Sequence, residues 1–191
     1  FARVFIAVAA GNSFTTYNSP GLSYPAVSPH VVPVSSIDND GTLSYFSQRH
    51  QRAIAAPGRS ILSTVPDYVG NFDGRDNDYA RYSGTSMAAP YVAGASVIVR
   101  QAMEFAGLQG IDQDAIYDLM RNTADTFYDR ATGASYRQLN LDAAIDAIMP
   151  ADDYGSTVAE AYAAGPLADG STLAGSITQL DDLDYFTFTA A

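Results

Sequence analysis

The sequence of 191 residues contains no cysteine, no lysine and no tryptophan. Without cysteine there is neither a disulfide framework nor thiol chemistry. All ten basic residues are therefore arginines, against 21 acidic residues, and the net charge of -11 argues against binding to nucleic acid. The sequence also has no apolar run long enough to cross a bilayer and no signal-peptide pattern, so we expect no membrane span in these residues.

The stretch 83–90, SGTSMAAP, predicts the start of a helix, because serine and threonine favour helix N-termini and proline is tolerated in a first turn. Residues 91–99 carry no charge, which predicts that the helix is buried on all sides. At such a helix start, Ser86 would lie at the positive end of the helix dipole, which favours negative charge developing nearby. Helix capping is the other role that these residues alone leave open for Ser86.

A second stretch, residues 4–10, is the unbroken apolar run VFIAVAA, which is typical of a strand buried on both faces of a parallel sheet. Ligands of such sheets bind beyond the carboxyl ends of the strands, so Asn12 is a candidate site residue. Its side-chain amide offers two N–H donors that can stabilise an oxyanion. An asparagine that merely ends a strand in a turn is the alternative.

Four motifs, in this order and spacing, resemble the subtilisin-like serine proteases: AAGN at 9–12, SYPA at 23–26, AAPG at 55–58 and GTSMAAP at 84–90. The resemblance covers roughly residues 1–148. It implies an α/β fold with a mostly parallel central sheet flanked by helices, and a serine endopeptidase that acts on protein or peptide substrates. It implies further that Ser86 is the nucleophile and Asn12 the oxyanion-hole side chain, with no cofactor required for the chemistry. Tyr91 stands where the family usually has histidine, a departure that does not touch the chemistry.

The resemblance also implies a base and an orienting acid that this sequence does not supply. A serine hydroxyl needs a base, usually histidine oriented by a carboxylate. In the family, both lie well upstream of the oxyanion asparagine, whereas His30 and His50 match positions that the family does not use in catalysis. We therefore expect the chain to be the C-terminal half of a protease, inactive and marginally folded alone, with an N-terminal part as its partner. A non-catalytic extracellular binding or scaffold protein that retains the fold is the alternative.

The same resemblance places Ala9, Ala10, Gly11 and Ser23 in the primary specificity pocket. None of these residues is charged, so we expect an apolar or aromatic side chain before the scissile bond rather than lysine or arginine. A secreted location is expected for such an enzyme.

The composition changes at residues 149–151, which predicts a boundary between a peptidase domain at 1–150 and a second module at 151–191. Residues 151–191 contain seven acidic residues and no basic one. They resemble the start of the acidic, β-rich pre-peptidase C-terminal modules, which are small β-sandwiches; an acidic linker with incidental strands is the alternative. Strands are expected at 173–177 and 185–189.

Two acidic clusters raise the alternative of structural Ca²⁺, although we assign no metal site. One cluster, at 73–78, has carboxylates at alternating positions but lacks the terminal bidentate glutamate of an EF-hand. The other consists of acidic residues of the second module: Asp152, Asp153, Asp181, Asp182 and Asp184.

Overall fold

The computed structural model describes residues 4–66, 74, 78–149, 153–166, 168, 170–175 and 183–189. The chain divides into two compact units, Phe1–Ala147 and Ile148–Ala191. Among the described residues, no helix has the length and apolar character that a membrane span requires.

The first unit contains both strands and helices. In chain order the strands are β1 (Ala7–Ala9), β2 (Val32–Ile37), β3 (Ile54–Pro57), β4 (Ile61–Thr64), β5 (Tyr79–Tyr82), β6 (Asp125–Asp129) and β7 (Ala134–Gln138). The helices are α1 (Phe14–Tyr17), α2 (Thr85–Phe105), α3 (Gln113–Asn122) and α4 (Leu141–Asp146).

Five of these strands form one sheet in the order β1-β2-β3-β7-β6. The pairs β1–β2, β2–β3 and β3–β7 are parallel, and only the β6–β7 hairpin is antiparallel. Strands β4 and β5 form a separate antiparallel pair. Helix α2 packs along β1, β2 and β3 and also contacts α3 and α4. The predicted fold, a mostly parallel central sheet flanked by helices, is confirmed.

The prediction that α2 is buried on all sides is wrong. One face is buried through Val92, Ala95 and Val99. On the opposite face Tyr91 is 56% and Ile98 47% exposed, because no described element covers it. Four apolar residues of the helix are exposed, and we call them the open face of α2: Tyr91, Val97, Ile98 and Phe105. Gln101 and Glu104, which lie among them, are exposed as well.

Strand β1 likewise differs from the prediction of a strand buried on both faces. It is shorter than the apolar run, its three residues are only half-buried, and Val4 and Ile6 before it are exposed. The reason is its place in the sheet: β2 pairs with one edge of β1, and no described strand pairs with the other.

Helices α3 and α4 begin with side-chain caps. Asp112 accepts a hydrogen bond from the Ala115 N–H, and Asn140 accepts one from the Ala143 N–H, each at 2.9 Å. Such caps pair N–H groups that the helix itself leaves without acceptors.

The second unit contains a short 3₁₀ helix (Val158–Glu160) and two paired parallel strands, β8 (Tyr162–Pro166) and β9 (Phe186–Thr189). The Tyr154 ring packs edge-on against the rings of Tyr162 and Phe186. A strand expected at 173–177 does not form over residues 173–175, and residues 176 and 177 lie outside the described residues.

Candidate active site

The N-terminus of α2 meets the carboxyl ends of two parallel strands. Residue Asn12 follows β1, and Gly58 follows β3. The Gly84 N–H donates to the Gly58 carbonyl oxygen at 2.8 Å, and a Cβ on Gly58 would lie 2.8 Å from the Gly84 carbonyl oxygen. This close approach of two backbones requires glycine at position 58, and it places the start of α2 at the sheet edge where ligands bind in α/β folds.

Asn12 is joined directly to the start of α2. Its Oδ1 accepts hydrogen bonds from the Thr85 N–H and from the Thr85 hydroxyl, both at 2.9 Å. Gly84 is the N-cap residue and makes no side-chain cap, so an amide oxygen from another segment caps this helix. Because Oδ1 is held by Thr85, the two N–H donors on Nδ2 are left for a ligand.

Ser86 is the second residue of α2 and its side chain is exposed. The N–H groups of the first helical turn have no acceptor one turn earlier in the helix, so the Ser86 N–H belongs to a small set of free donors. Pro90 lies inside α2 rather than in its first turn, and its missing N–H leaves the Ser86 carbonyl oxygen without the usual helical partner. The structure thus places an exposed hydroxyl beside two kinds of N–H donor, those of the helix start and those of Asn12.

The four residues expected in a pocket lie around the loop after β1. Ala10 is fully buried, so its side chain lies in the core, while Ala9, Gly11 and Ser23 are half-buried. The Ser23 N–H donates to the Ala10 carbonyl oxygen at 2.9 Å. Gly11 has a φ of +113°, and a Cβ built there would lie 2.1 Å from Ser23 Oγ, so a larger residue at position 11 would displace Ser23.

Residues 46–49 support this loop. The Gln48 N–H donates to the Gly11 carbonyl oxygen at 2.8 Å, and the Phe14 N–H donates to the Phe46 carbonyl oxygen at 3.1 Å. The guanidinium carbon of Arg49 lies 3.6 Å from the centre of the Phe14 ring. Its Nε donates to Asp129 Oδ2 at 2.9 Å, which ties the loop to the β6–β7 hairpin.

Neither histidine belongs to this cluster. His30 precedes β2, at the amino ends of the parallel strands and therefore at the opposite edge of the sheet from Asn12. His50 precedes β3, and its Nδ1 accepts a hydrogen bond from the Arg52 N–H at 3.1 Å. Burial, and to a lesser degree the Arg52 charge, lowers the pKa of His50 below its ordinary value.

The acidic clusters considered for calcium fall largely outside the described residues. This holds for the cluster at 73–78 apart from Gly74 and Asp78, and for Asp152, Asp181 and Asp182. Within the part of the chain that is described, no group of three or more histidine or acidic side chains could hold a metal ion.

Comparisons with known proteins give relatives of one kind. The sequence model of the Subtilase family matches residues 2–160. Fervidolysin of Fervidobacterium pennivorans is 34% identical over 165 residues, which are 77% of this chain and 22% of that protein. Subtilisin DY of Bacillus licheniformis is 29% identical over 126 residues, 65% of this chain and 42% of that protein. The major intracellular serine protease of Bacillus subtilis (strain 168) is 32% identical over 123 residues, 63% of this chain and 36% of that protein.

Among solved structures, the self-cleaved protease domain of PatA aligns with a TM-score of 0.60 and 27% identity. The alignment covers 76% of this chain and 50% of that one. The chain therefore spans half of this solved protease domain and less than half of the three proteins above.

Proposed function

We propose, from the premise that this chain belongs to the subtilase family, that it is part of a serine endopeptidase. Ser86 is the proposed nucleophile, and the Asn12 amide with the Ser86 N–H is the proposed oxyanion hole. The observation that carries this proposal is the Asn12–Thr85 pair, which sets the Asn12 amide beside the exposed start of α2.

In the proposed reaction, Ser86 Oγ forms a bond to the carbonyl carbon of the scissile peptide while a base removes the hydroxyl proton. The carbonyl oxygen becomes an oxyanion that accepts hydrogen bonds from Asn12 Nδ2 and the Ser86 N–H. The carbon–nitrogen bond then breaks, and the amine leaves with the proton from the base. In the second step the base takes a proton from water, the water oxygen attacks the acyl carbon, and Ser86 Oγ leaves with that proton.

The base and its orienting carboxylate are proposed to come from an N-terminal part of the same protease. The open face of α2 and the edge of β1 with which no described strand pairs support this, since both leave apolar groups in water. The solved PatA domain is about twice as long as the segment that aligns with this chain, which is enough for the additional strands and helices. We refer to this chain together with that part as the complete protease.

A fluorophosphonate probe tests whether Ser86 needs the N-terminal part in order to react. The isolated chain should be labelled at Ser86 barely above background, because neither histidine lies in the cluster around the hydroxyl. Adding the N-terminal part should restore rapid labelling. Mass spectrometry of the labelled peptide identifies the modified residue.

A Ser86→Ala variant of the complete protease is the control and should take up no label. Rapid labelling of the isolated chain would contradict the proposed N-terminal part, and His30 and His50 would then need to be reconsidered. No labelling with both parts present and folded would contradict the proposed function itself.

The second unit is proposed to be the start of a pre-peptidase C-terminal module that takes no part in catalysis. Its described contacts include an aromatic cluster of its own, formed by Tyr154, Tyr162 and Phe186. Ending the complete protease after Pro150 should therefore leave kcat and KM for a short peptide unchanged within about twofold, since no group that touches the substrate is removed. A folded, truncated protein without activity would show instead that this unit contributes to the active site.

Secretion remains a prediction of the sequence. One relative is by its name intracellular, so family membership is compatible with either compartment. Proteolytic activity in the culture medium of the producing organism is the matching measurement.

A further inference from the structure

The guanidinium group of Arg52 binds three backbone carbonyl oxygens of one loop. Its Nη1 donates to the Val27 carbonyl oxygen at 3.2 Å, and its Nη2 donates to those of Ser28 at 2.8 Å and Val31 at 3.1 Å. No carboxylate among the described residues forms an ion pair with Arg52. Its positive charge is therefore held by backbone oxygens alone, through hydrogen bonds that the charge strengthens.

The backbone of Arg52 is itself held on two sides. Its N–H donates to His50 Nδ1 at 3.1 Å, and its carbonyl oxygen accepts a hydrogen bond from the Tyr117 hydroxyl of α3. Arg52 also lies only two residues before β3. The guanidinium group therefore extends from a backbone that the sheet and α3 fix, and it can hold the loop at 27–31 in place.

This loop is bonded to Ser23, which the sequence predicts to line the primary specificity pocket. The Val27 N–H donates to the Ser23 carbonyl oxygen at 3.2 Å, and the Ser23 N–H donates to the Ala10 carbonyl oxygen at 2.9 Å. A chain of hydrogen bonds thus runs from the Arg52 side chain to the segment that precedes Asn12.

The chemistry of the three oxygens requires a cation with several donors. Carbonyl oxygens that converge on one place repel one another, and they are costly to leave without donors. A guanidinium group has five N–H donors in a fixed planar fork, so a single side chain satisfies all three oxygens. With a neutral apolar side chain in its place, the loop would have to open so that water could reach them.

We propose that Arg52 is a positioning residue for substrate binding, which keeps the loop at 23–31 in the shape that receives the residue before the scissile bond. The inference rests on the proposed endopeptidase function and deepens it, because Arg52 acts on the substrate only through Ser23. Without the guanidinium group, a peptide has to order the loop when it binds, and that cost raises KM. The chemical step is unaffected, because Asn12 is held separately by Thr85.

Steady-state kinetics of Arg52→Ala in the complete protease test this role. KM for a peptide substrate should rise about tenfold, and kcat should change by less than about twofold. Titration of Ser86 with the fluorophosphonate probe counts the intact sites, and their number should match that of the wild type.

Chemical rescue separates the charge of the side chain from its shape. Guanidinium chloride, at a concentration too low to denature the protein, should lower the KM of Arg52→Ala again by about threefold or more, because the free ion can bind the same three oxygens. Urea at the same concentration has a similar planar shape and no charge, so it should restore nothing.

Arg59→Ala is the matched control, because the Arg59 guanidinium group is bound at the surface by the Asp38 carboxylate rather than by a loop backbone. Its KM should equal that of the wild type, with or without guanidinium. Arg52→Met keeps the apolar stem of the side chain and should show the same rise in KM as Arg52→Ala, so the result does not depend on how well the alanine variant folds.

An unchanged KM in both Arg52 variants overturns the inference. A loss of titratable sites with a normal KM overturns it too, because Arg52 would then stabilise the fold without positioning the loop. Equal rescue by urea would contradict the role of the charge. These outcomes leave the endopeptidase function intact. If the folded wild-type complete protease cleaves no peptide, the proposed function fails and this inference falls with it.

Discussion

Replacing Asn12 with leucine in the complete protease should lower kcat by about 10²–10³-fold and leave KM nearly unchanged. This range is the one known for the oxyanion asparagine of subtilisin, a relative of this chain. The physical reason is that Asn12 Nδ2 would bond an oxygen that becomes charged only in the transition state, so its loss raises the barrier without weakening substrate binding.

Two further variants separate this effect from damage to the helix start. Asn12→Asp keeps an oxygen that can accept from Thr85 but has no N–H donors, so it should lose kcat as Asn12→Leu does. Asn39→Leu changes an exposed asparagine in the turn after β2 and should leave kcat unchanged. A kcat within about twofold of the wild type in Asn12→Leu would remove Asn12 from the mechanism.

Replacing Arg49 with methionine should lower the free energy of unfolding of the protein by about 3–5 kcal/mol, measured by urea denaturation. The side chains of Arg49 and Asp129 are only 3% and 10% exposed, and their ion pair is 2.9 Å long. Methionine would leave the Asp129 carboxylate buried without its cation, and it would also lose the contact of the guanidinium with the Phe14 ring.

The chain contains a similar arginine–aspartate ion pair at the surface, also with an aromatic ring beside the arginine. Arg59 bonds Asp38 at 3.0 Å and lies over the ring of Tyr45, but its side chain is 43% exposed. Arg59→Met should therefore cost less than about 1 kcal/mol. If both variants lost the same free energy of unfolding, burial would not be what makes the Arg49–Asp129 ion pair strong.

The parts of the fold that follow from local pattern could be predicted from the sequence. The apolar run at 4–10 and the glycine-containing stretch before α2 indicated a parallel sheet with a helix start at its carboxyl edge. The same reasoning failed for the surroundings of those elements. An uncharged helix predicts that something covers it, whereas no described element covers the open face of α2.

The candidate site was predictable only in part, for a physical reason. Ser86 and Asn12 each stand in a recognisable motif, whereas their connection through Thr85 joins residues 73 positions apart. Sequence periodicity carries no signal for such a long-range hydrogen bond. Arg49 was missed for a related reason: a single arginine in a loop indicates a solvated side chain, and only the fold brings Phe14 and Asp129 around it.

The two hydrogen bonds from Thr85 to Asn12 Oδ1 affect the energy needed to reorient the Asn12 amide during the proposed reaction. Both groups on Thr85 are donors in these bonds, so turning the Asn12 amide around would set its NH₂ group against them. The amide is thereby confined to the one rotational state in which its own donors face outward, before any substrate arrives. In the proposed reaction, a dipole fixed in this way would not need to rotate as the oxyanion forms, whereas water molecules in its place would have to reorient.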